Sequence, residues 1–211
     1  MTNVANALPN RRVHALLASF CAAVALALSV PPLRSVIEQS MAWHMVFQMP
    51  LLVLAGALTA RALPTHFLSP KLARLNQFSQ FNHFGLTGFM AAQIAIAYWM
   101  LPMAIDRAVV QLPFDAIKLV TLFTSGMLLA DAFKRAPLAL QLFFMGYWVS
   151  MMAWLGIYFA TTDLRLCNAY SQASQVATGW GLLMLGLLLG TVWLGNLWRM
   201  QWRMPVSYAI K

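Results

Sequence analysis

The sequence contains few charged residues and very few acidic ones. Five acidic side chains stand against 14 basic ones in 211 residues, and charged residues make up 9% of the chain. A soluble domain carries about 25% charged residues, so this chain cannot cover a water-facing surface of ordinary composition. The shortage of charge excludes a typical soluble fold and indicates a membrane protein.

Cysteines and the common catalytic motifs are equally scarce. The two cysteines, Cys21 and Cys167, form no CxxC pair. We expect them at different depths in the bilayer, and therefore no disulfide between them. The sequence also has no Ser-His-Asp set, P-loop, GxGxxG or HExxH motif, and no loop long enough to build a soluble-type active site. We therefore expect a protein that is not an enzyme.

The sequence is rich in long apolar runs. Apolar residues make up 61% of the chain, and the mean hydropathy is +0.70. A membrane-spanning helix needs about 20 such residues, whereas these runs are too long and too uniformly apolar for barrel strands. The sequence predicts one all-α polytopic membrane bundle over residues 1–211, placed in the inner (cytoplasmic) membrane. About six spans are expected, at roughly 13–32, 41–60, 84–105, 113–133, 137–160 and 175–198.

The distribution of positive charge predicts the orientation of the bundle. Ten basic residues fall on one side: Arg11, Arg12, Arg61, Lys71, Arg74, Lys134, Arg135, Arg199, Arg203 and Lys211. The opposite connections carry Arg34, Arg107 and Arg165. Since positive residues stay in the cytoplasm, both termini and the loop 61–83 should be cytoplasmic. This alternation requires the first segment as a span, although its arginine pair also fits a cleavable signal peptide. The net charge of +9 needs no nucleic-acid partner and suits anionic lipid headgroups.

The segment SMAWHMVFQMP, at 40–50, places soft and nitrogen-containing side chains on one helical face. They are Met41, His44, Met45, Gln48 and Met49, followed by Pro50, which should bend the helix. Thioether and imidazole groups suit Cu(I), which is the functional interpretation. Alternatively, the methionines fill gaps between helices, and the histidine hydrogen-bonds to a neighbour.

The predicted topology brings further polar groups to the same outer depth. The third span ends with Met100, Met103 and Asp106, and the fourth begins with Asp115 and Lys118. A charge inside hydrocarbon is costly, so Lys118 should reach outward or pair with a nearby aspartate. The candidate Cu(I) ligands are Met41, His44, Met45, Met100 and Met103. The candidate polar cluster comprises Gln48, Asp106, Asp115 and Lys118.

Three local patterns predict packing rather than chemistry. Gly186 and Gly190, spaced as GxxxG in the last span, should allow a close helix approach. Asp131 precedes Lys134 and Arg135 by three and four residues, which predicts a salt bridge at a helix end. The LARLNQFSQF stretch of loop 61–83 is weakly amphipathic and predicts a short interfacial helix.

Four sequence elements resemble, in this order, the membrane-embedded CtaG family of assembly factors for caa3-type cytochrome c oxidase. They are His44-Met45; Trp99-Met100-Leu101-Pro102 with Asp106; Asp115 with Lys118; and Gln172 to Gln175 followed by Thr178-Gly179-Trp180. The resemblance implies assistance in assembling a terminal oxidase or delivering copper to it. The family pattern has histidines where this chain has Gln48, Met100, Asp115 and Lys118.

Two other functional classes remain open. The chain could be a non-catalytic accessory subunit of a larger respiratory or redox complex, with other membrane subunits as partners. It could also be a small transporter, or a protein that binds haem or quinone. Two haem-ligating histidines at one depth are not expected, but ligation by His44 and Met100 stays open.

Overall fold

The computed structural model describes residues 7–27, 30, 40–62, 84–167 and 169–202, and within these ranges every regular element is helical. This confirms the predicted all-α class. The helices are α1 (Ala7–Ala27), a π-helical turn (Trp43–Gln48) that continues as α2 (Met49–Ala62), α3 (Leu86–Trp99), α4 (Pro102–Val110), α5 (Leu112–Arg135), α6 (Leu138–Thr161) and α7 (Gln172–Trp202).

Four of the described helices are long and apolar enough to cross a membrane. They are Trp43–Ala62, Leu112–Arg135, Leu138–Thr161 and Gln172–Arg199, and the bent pair α3 and α4 counts as a fifth if it forms one span. The apolar part of α1, Arg12–Ala27, is shorter than these four. The described helices therefore fit a multi-pass membrane protein, while the count of six spans and the side of each terminus stay predictions.

The expectation of one continuous helix over 84–105 is wrong. Helices α3 and α4 meet at an angle of 71°. Pro102 occupies the first turn of α4, and Leu101 before it is extended, with φ −73° and ψ 132°. A residue preceding proline avoids the helical conformation, so the chain must turn here. The carbonyl of Tyr98, which the proline would leave without a partner, accepts the Leu101 amide at 3.1 Å.

Two minor predictions have different outcomes. The salt bridge at the end of α5 is confirmed, because Arg135 Nε lies 2.9 Å from an Asp131 carboxylate oxygen. The interfacial helix predicted for LARLNQFSQF, residues 72–81, lies outside the described part of the chain.

Glycines set the closest contact between α2 and α5. A Cβ atom on Gly56 would overlap the carbonyl oxygen of Phe123, and one on Gly126 would overlap the carbonyl oxygen of Val53. Each glycine therefore faces the backbone of the opposite helix. Lipid tails are as apolar as the side chains, so helices in a bilayer gain little hydrophobic free energy by associating. Close contacts between backbones therefore contribute much of the energy that holds such helices together. This contact holds α5, the helix that carries Lys118, against α2.

A second close contact joins α6 to α7. A Cβ atom on Gly156 would lie 2.8 Å from the Gly179 carbonyl oxygen, and one on Gly179 would lie 2.6 Å from that of Gly156. The predicted packing residues Gly186 and Gly190 also face α6, but they meet side chains, at 3.2 Å from Met152 and 3.4 Å from Val149. The backbone-to-backbone contact lies about two turns earlier than the sequence suggested.

We predict that Gly126→Ala destabilises the bundle, because its methyl group would press on the α2 backbone. The loss in free energy of unfolding should be about 1–3 kcal/mol, as for other overpacked sites. Unfolding of the detergent-solubilised protein, followed by tryptophan fluorescence, measures it.

Gly146→Ala is the matched control, because a Cβ atom there meets nothing within 4 Å. It should be neutral or stabilising by up to about 1 kcal/mol, since alanine is the better helix former. Equal destabilisation by both changes would contradict the assigned contact.

Candidate functional site

A lysine lies buried at the centre of a polar network between α5 and the π-helical turn. Lys118 Nζ is 2.9 Å from His44 Nε2 and 2.5 Å from Asp115 Oδ1. The exposed fractions are 1% for Lys118, 2% for His44 and 7% for Asp115. The pairing of Lys118 with Asp115 confirms one of the two arrangements expected from the sequence. It also means that the positive charge is compensated within the same helix.

Tyr170 adds a hydroxyl group to the opposite side of the imidazole. Its oxygen lies 3.3 Å from His44 Nδ1, and its side chain is 2% exposed. A lysine ammonium can only donate, so we assign Nε2 of His44 as the acceptor. The neutral ring then carries its proton on Nδ1 and donates it to the tyrosine oxygen. Both ring nitrogens are thus engaged by other side chains.

The π-helical turn determines where His44 points. The amide of Met49 donates to the carbonyl of His44, five residues back, which is the π pattern. Pro50 follows directly and has no amide to donate, so the regular α-helical ladder is already interrupted here. Such turns widen a helix locally and occur often at functional sites. Directly before Pro50 the structure thus has a π-helical turn that carries the histidine, and Trp43–Ala62 continues as one helix.

The connection between α6 and α7 folds over this site. Arg165 Nε donates to the carbonyl oxygen of Tyr170 at 2.8 Å, which holds the tyrosine backbone in place. Gln175, 1% exposed, accepts from the Leu166 amide at 2.9 Å and donates to the Leu164 carbonyl at 3.1 Å. The described residues of this connection, 162–167 and 169–171, are therefore held in place by specific hydrogen bonds, and we call this segment the cover.

Two further bonds hold the cover and the start of α7 to the rest of the bundle. The amide of Ala169 in the cover donates to Asp106 Oδ1 at 3.2 Å, and the amide of Met41 donates to Oγ of Ser174 on α7 at 2.7 Å. Asp106, expected in the polar cluster, thus bonds to the cover. The cover closes the network away from the surface.

Three of the four predicted methionine ligands lie beside the network. Met41 and Met45 are fully buried and Met100 is 6% exposed, all in one hydrophobic cluster that also contains Tyr170. Met103 is 70% exposed, because α4 turns away from α3 at Pro102. Gln48, the remaining polar candidate, is buried at 3%. The structure therefore buries every candidate methionine except Met103 in the cluster that contains Tyr170.

These residues do not fit a bound copper ion or a haem iron. The single imidazole of the site has one nitrogen against an ammonium group and the other against a hydroxyl group. A positive charge at 2.9 Å from Nε2 opposes a metal cation there in a medium of low dielectric. Among the described residues, no three His, Cys, Asp or Glu side chains form a group that could hold a metal. The methionine sulfurs alone would remain as donors.

Tyr170 is the site residue that sequence reasoning missed. Its position in a polar connection gave no periodicity, and the partner that it contacts is 126 residues away in the sequence. Its place two residues before the Gln172-to-Gln175 element was the one available signal.

No protein-family model, curated protein or solved structure matches the chain, so its function has to be argued from this site.

Cys167 lies in the cover, outside the membrane-spanning helices, and is 1% exposed. Its thiol is within 3.9 Å of the Pro102 carbonyl oxygen. Burial, and to a smaller extent the negative charge of Asp106, raises the pKa of Cys167 to about 12. The reactive thiolate is therefore scarce at neutral pH.

We predict that Cys167 in a Cys21→Ala background resists alkylation by maleimide from pH 7 to 9. Because the pKa lies above this whole range, the rate should not rise with pH as it does for an ordinary thiol near pH 8.5. Mass spectrometry after timed quenching measures the labelling.

Asp163→Cys in a chain without the two native cysteines provides an exposed reference thiol in the same connection. It should label rapidly, and Cys167 should label only after denaturation. Equal rates for the two thiols in the folded protein would contradict the closed cover.

A further buried polar side chain, outside the network around Lys118, lies in α3. Gln93 is 7% exposed, and neither of its amide atoms has a hydrogen-bond partner among the described residues. A buried amide without partners costs about 1–3 kcal/mol. Gln93→Leu should therefore stabilise the protein by about 1 kcal/mol in detergent unfolding.

Gln175→Leu is the matched opposite case, because the Gln175 amide makes two hydrogen bonds to the backbone. We expect destabilisation there by about 1–3 kcal/mol, since both backbone groups lose their partner. The same sign for both substitutions would be inconsistent with this difference in bonding.

Proposed function

We propose that this protein is an integral membrane protein that assists the assembly of a terminal respiratory oxidase. The supporting observation is the convergence of the CtaG-like sequence elements on one buried site. His44 belongs to the first element and Lys118 to the third, and they are in direct contact. Tyr170, which adjoins the fourth element, contacts the same histidine.

The second element reaches the site through a tryptophan. Trp99 Nε1 donates to Thr121 Oγ1 at 2.7 Å, and that hydroxyl is also within 3.1 Å of the Lys118 carbonyl oxygen. The first and third elements thus meet directly, the second contacts a neighbour of Lys118, and the residue two positions before the fourth contacts His44. Fortuitous similarity would not require them to meet, so their meeting favours the proposed relationship.

The character of the site favours assistance over catalysis. The network lies under an ordered cover, and its charges compensate each other. Meanwhile large aromatic side chains of α6 face outward, with Trp154 at 77% and Phe143 at 65% exposure. An exposed apolar surface in the membrane serves contacts with lipid and with partner subunits. Copper delivery is not part of this proposal, because the ammonium of Lys118 occupies the approach to His44.

An accessory subunit of a respiratory complex is the second candidate. The observation that favours it is that the polar network is held by side chains and needs no further group. The two roles differ in persistence. An assembly factor contacts immature oxidase subunits transiently, whereas an accessory subunit co-purifies with the mature complex at a fixed ratio.

Deletion of the gene in its native host tests the proposal. We expect oxidase subunits to be made but the active oxidase to be strongly reduced, while other respiratory dehydrogenases in the same membranes keep their activity. Oxygen uptake with an artificial electron donor and native gel electrophoresis measure both. Unchanged oxidase activity and assembly would contradict the proposed role.

Complementation with point variants links the role to the site. Tyr170→Phe removes only the hydroxyl group that contacts His44, at a cost of about 1 kcal/mol. It should restore less oxidase than the native chain at equal membrane abundance. Tyr158→Phe is the control, because that tyrosine is 43% exposed on α6 and should complement fully. Full complementation by both variants would show that the hydroxyl group of Tyr170 is not needed for the proposed function.

A further inference from the structure

Two side chains outside the network around Lys118 have buried polar atoms that are not paired. Gln93 on α3 is 7% exposed, and neither its Nε2 nor its Oε1 atom has a hydrogen-bond partner among the described residues. The indole Nε1 of Trp148 on α6 is also buried and has no partner in the described part of the chain. Most buried polar atoms in proteins are paired, so these exceptions require an explanation.

Gln93 and Trp148 lie at one level of neighbouring helices. The rings of Phe89 and Phe144 stack between α3 and α6, with their centroids 4.6 Å apart and their planes at 10°. Gln93 follows Phe89 by four residues, and Trp148 follows Phe144 by four, which is about one turn on the same helix face. Both helices run from the cluster of these rings toward the cluster that contains Tyr170. One turn therefore carries both polar side chains to the same side of the stacked rings.

The unpaired nitrogen atoms suit a ligand that offers a neutral oxygen atom. An indole N–H and an amide NH₂ can only donate, whereas one carbonyl oxygen has two lone pairs and can accept from both.

An ionised ligand would find no opposite charge at this level. Asp115 and Lys118, the two buried charged residues of the described chain, lie in the first two turns of α5, whereas the cluster around the stacked rings contains Ala132 from its last turn. Because an unpaired charge is far more costly to bury than a neutral group, the ligand should be uncharged.

The polar pair adjoins the lipid-facing surface of the bundle. Ile94, next to Gln93, is 64% exposed, and Tyr147, next to Trp148, is 48% exposed. A molecule dissolved in the bilayer can therefore reach these helices without passing through the bundle.

We propose that Gln93 and Trp148 bind the carbonyl oxygen of a neutral, lipid-soluble molecule, with the amide and indole N–H groups as donors. Such a carbonyl group occurs in the ring of a quinone and in the ester groups of a phospholipid. The inference goes beyond oxidase assembly and does not depend on it, because the site lies between other helices than the network around Lys118. It accounts for a glutamine whose unpaired amide destabilises the ligand-free protein.

Thermal unfolding of the purified full-length protein in lipid-depleted detergent tests the proposal. The protein is titrated with decylubiquinone, or with dihexanoyl phosphatidylcholine at concentrations that form no micelles, and unfolding is followed by circular dichroism. At saturation, one of these compounds should raise the Tm of the native chain by about 5 °C, which identifies the source of the carbonyl group. Decylbenzene, with a similar tail and ring but no carbonyl group, should leave the Tm unchanged.

Matched variants show whether the ligand uses the assigned donors. Gln93→Leu should have a higher Tm than the native chain without ligand, and no further rise with it. Trp148→Phe keeps an aromatic ring but loses the N–H group, so it should lose most of the rise. Trp154→Phe is the control, because that indole is 77% exposed on the same helix, and it should respond as the native chain does.

Three results would overturn the proposal. They are no rise of the native Tm with either carbonyl compound, an equal rise with decylbenzene, and a full rise in both Gln93→Leu and Trp148→Phe. Loss of folding cannot imitate the expected result, because Gln93→Leu must show both a raised Tm of its own and no response to the ligand.

Discussion

The rest of the structure depends on one constraint, the burial of a lysine charge within an apolar helical bundle. An isolated charge in hydrocarbon costs at least about 2.5–3.5 kcal/mol, so Lys118 requires partners at its own depth. Asp115, one turn earlier on α5, supplies the opposite charge, and His44 supplies an acceptor nitrogen from the π-helical turn before α2. Each partner is then constrained in turn, because removing one member of a buried pair leaves the other charge uncompensated.

Two prolines bring the remaining groups into position, and each acts through the hydrogen bond that it cannot make. Pro50 follows a π-helical turn that carries His44, and Pro102 begins a new helix at 71° to the one before it. The imidazole carried by the first of these irregularities contacts Lys118 of α5. The second directs Met103 away from the cluster while Met100 stays buried. The backbone irregularities thus decide which side chains belong to the site.

The glycines and the α6–α7 cover fix the distances between these groups. Gly56 and Gly126 let α2 and α5 approach until each meets the other's backbone. The π-helical turn before α2 carries His44, which lies within hydrogen-bond distance of Lys118 on α5. The bonds of Arg165 and Gln175 then hold the cover, with Tyr170 placed over the imidazole. A bundle with looser helix contacts would leave room for water between lysine and histidine.

The sequence by itself determined the helical class and the position of most helices, since apolar length is a local property, and one-turn spacing made Asp115 one of the expected partners of Lys118. It also predicted His44, Met41, Met45 and Met100 at one depth, and the structure places the three methionines in one buried cluster. Only the tertiary structure decided that Lys118 faces the histidine, that Tyr170 completes the network and that Met103 is excluded. These outcomes depend on helix rotation, on the sharpness of the break at Pro102 and on contacts between residues far apart in the chain, none of which has a local periodic signal.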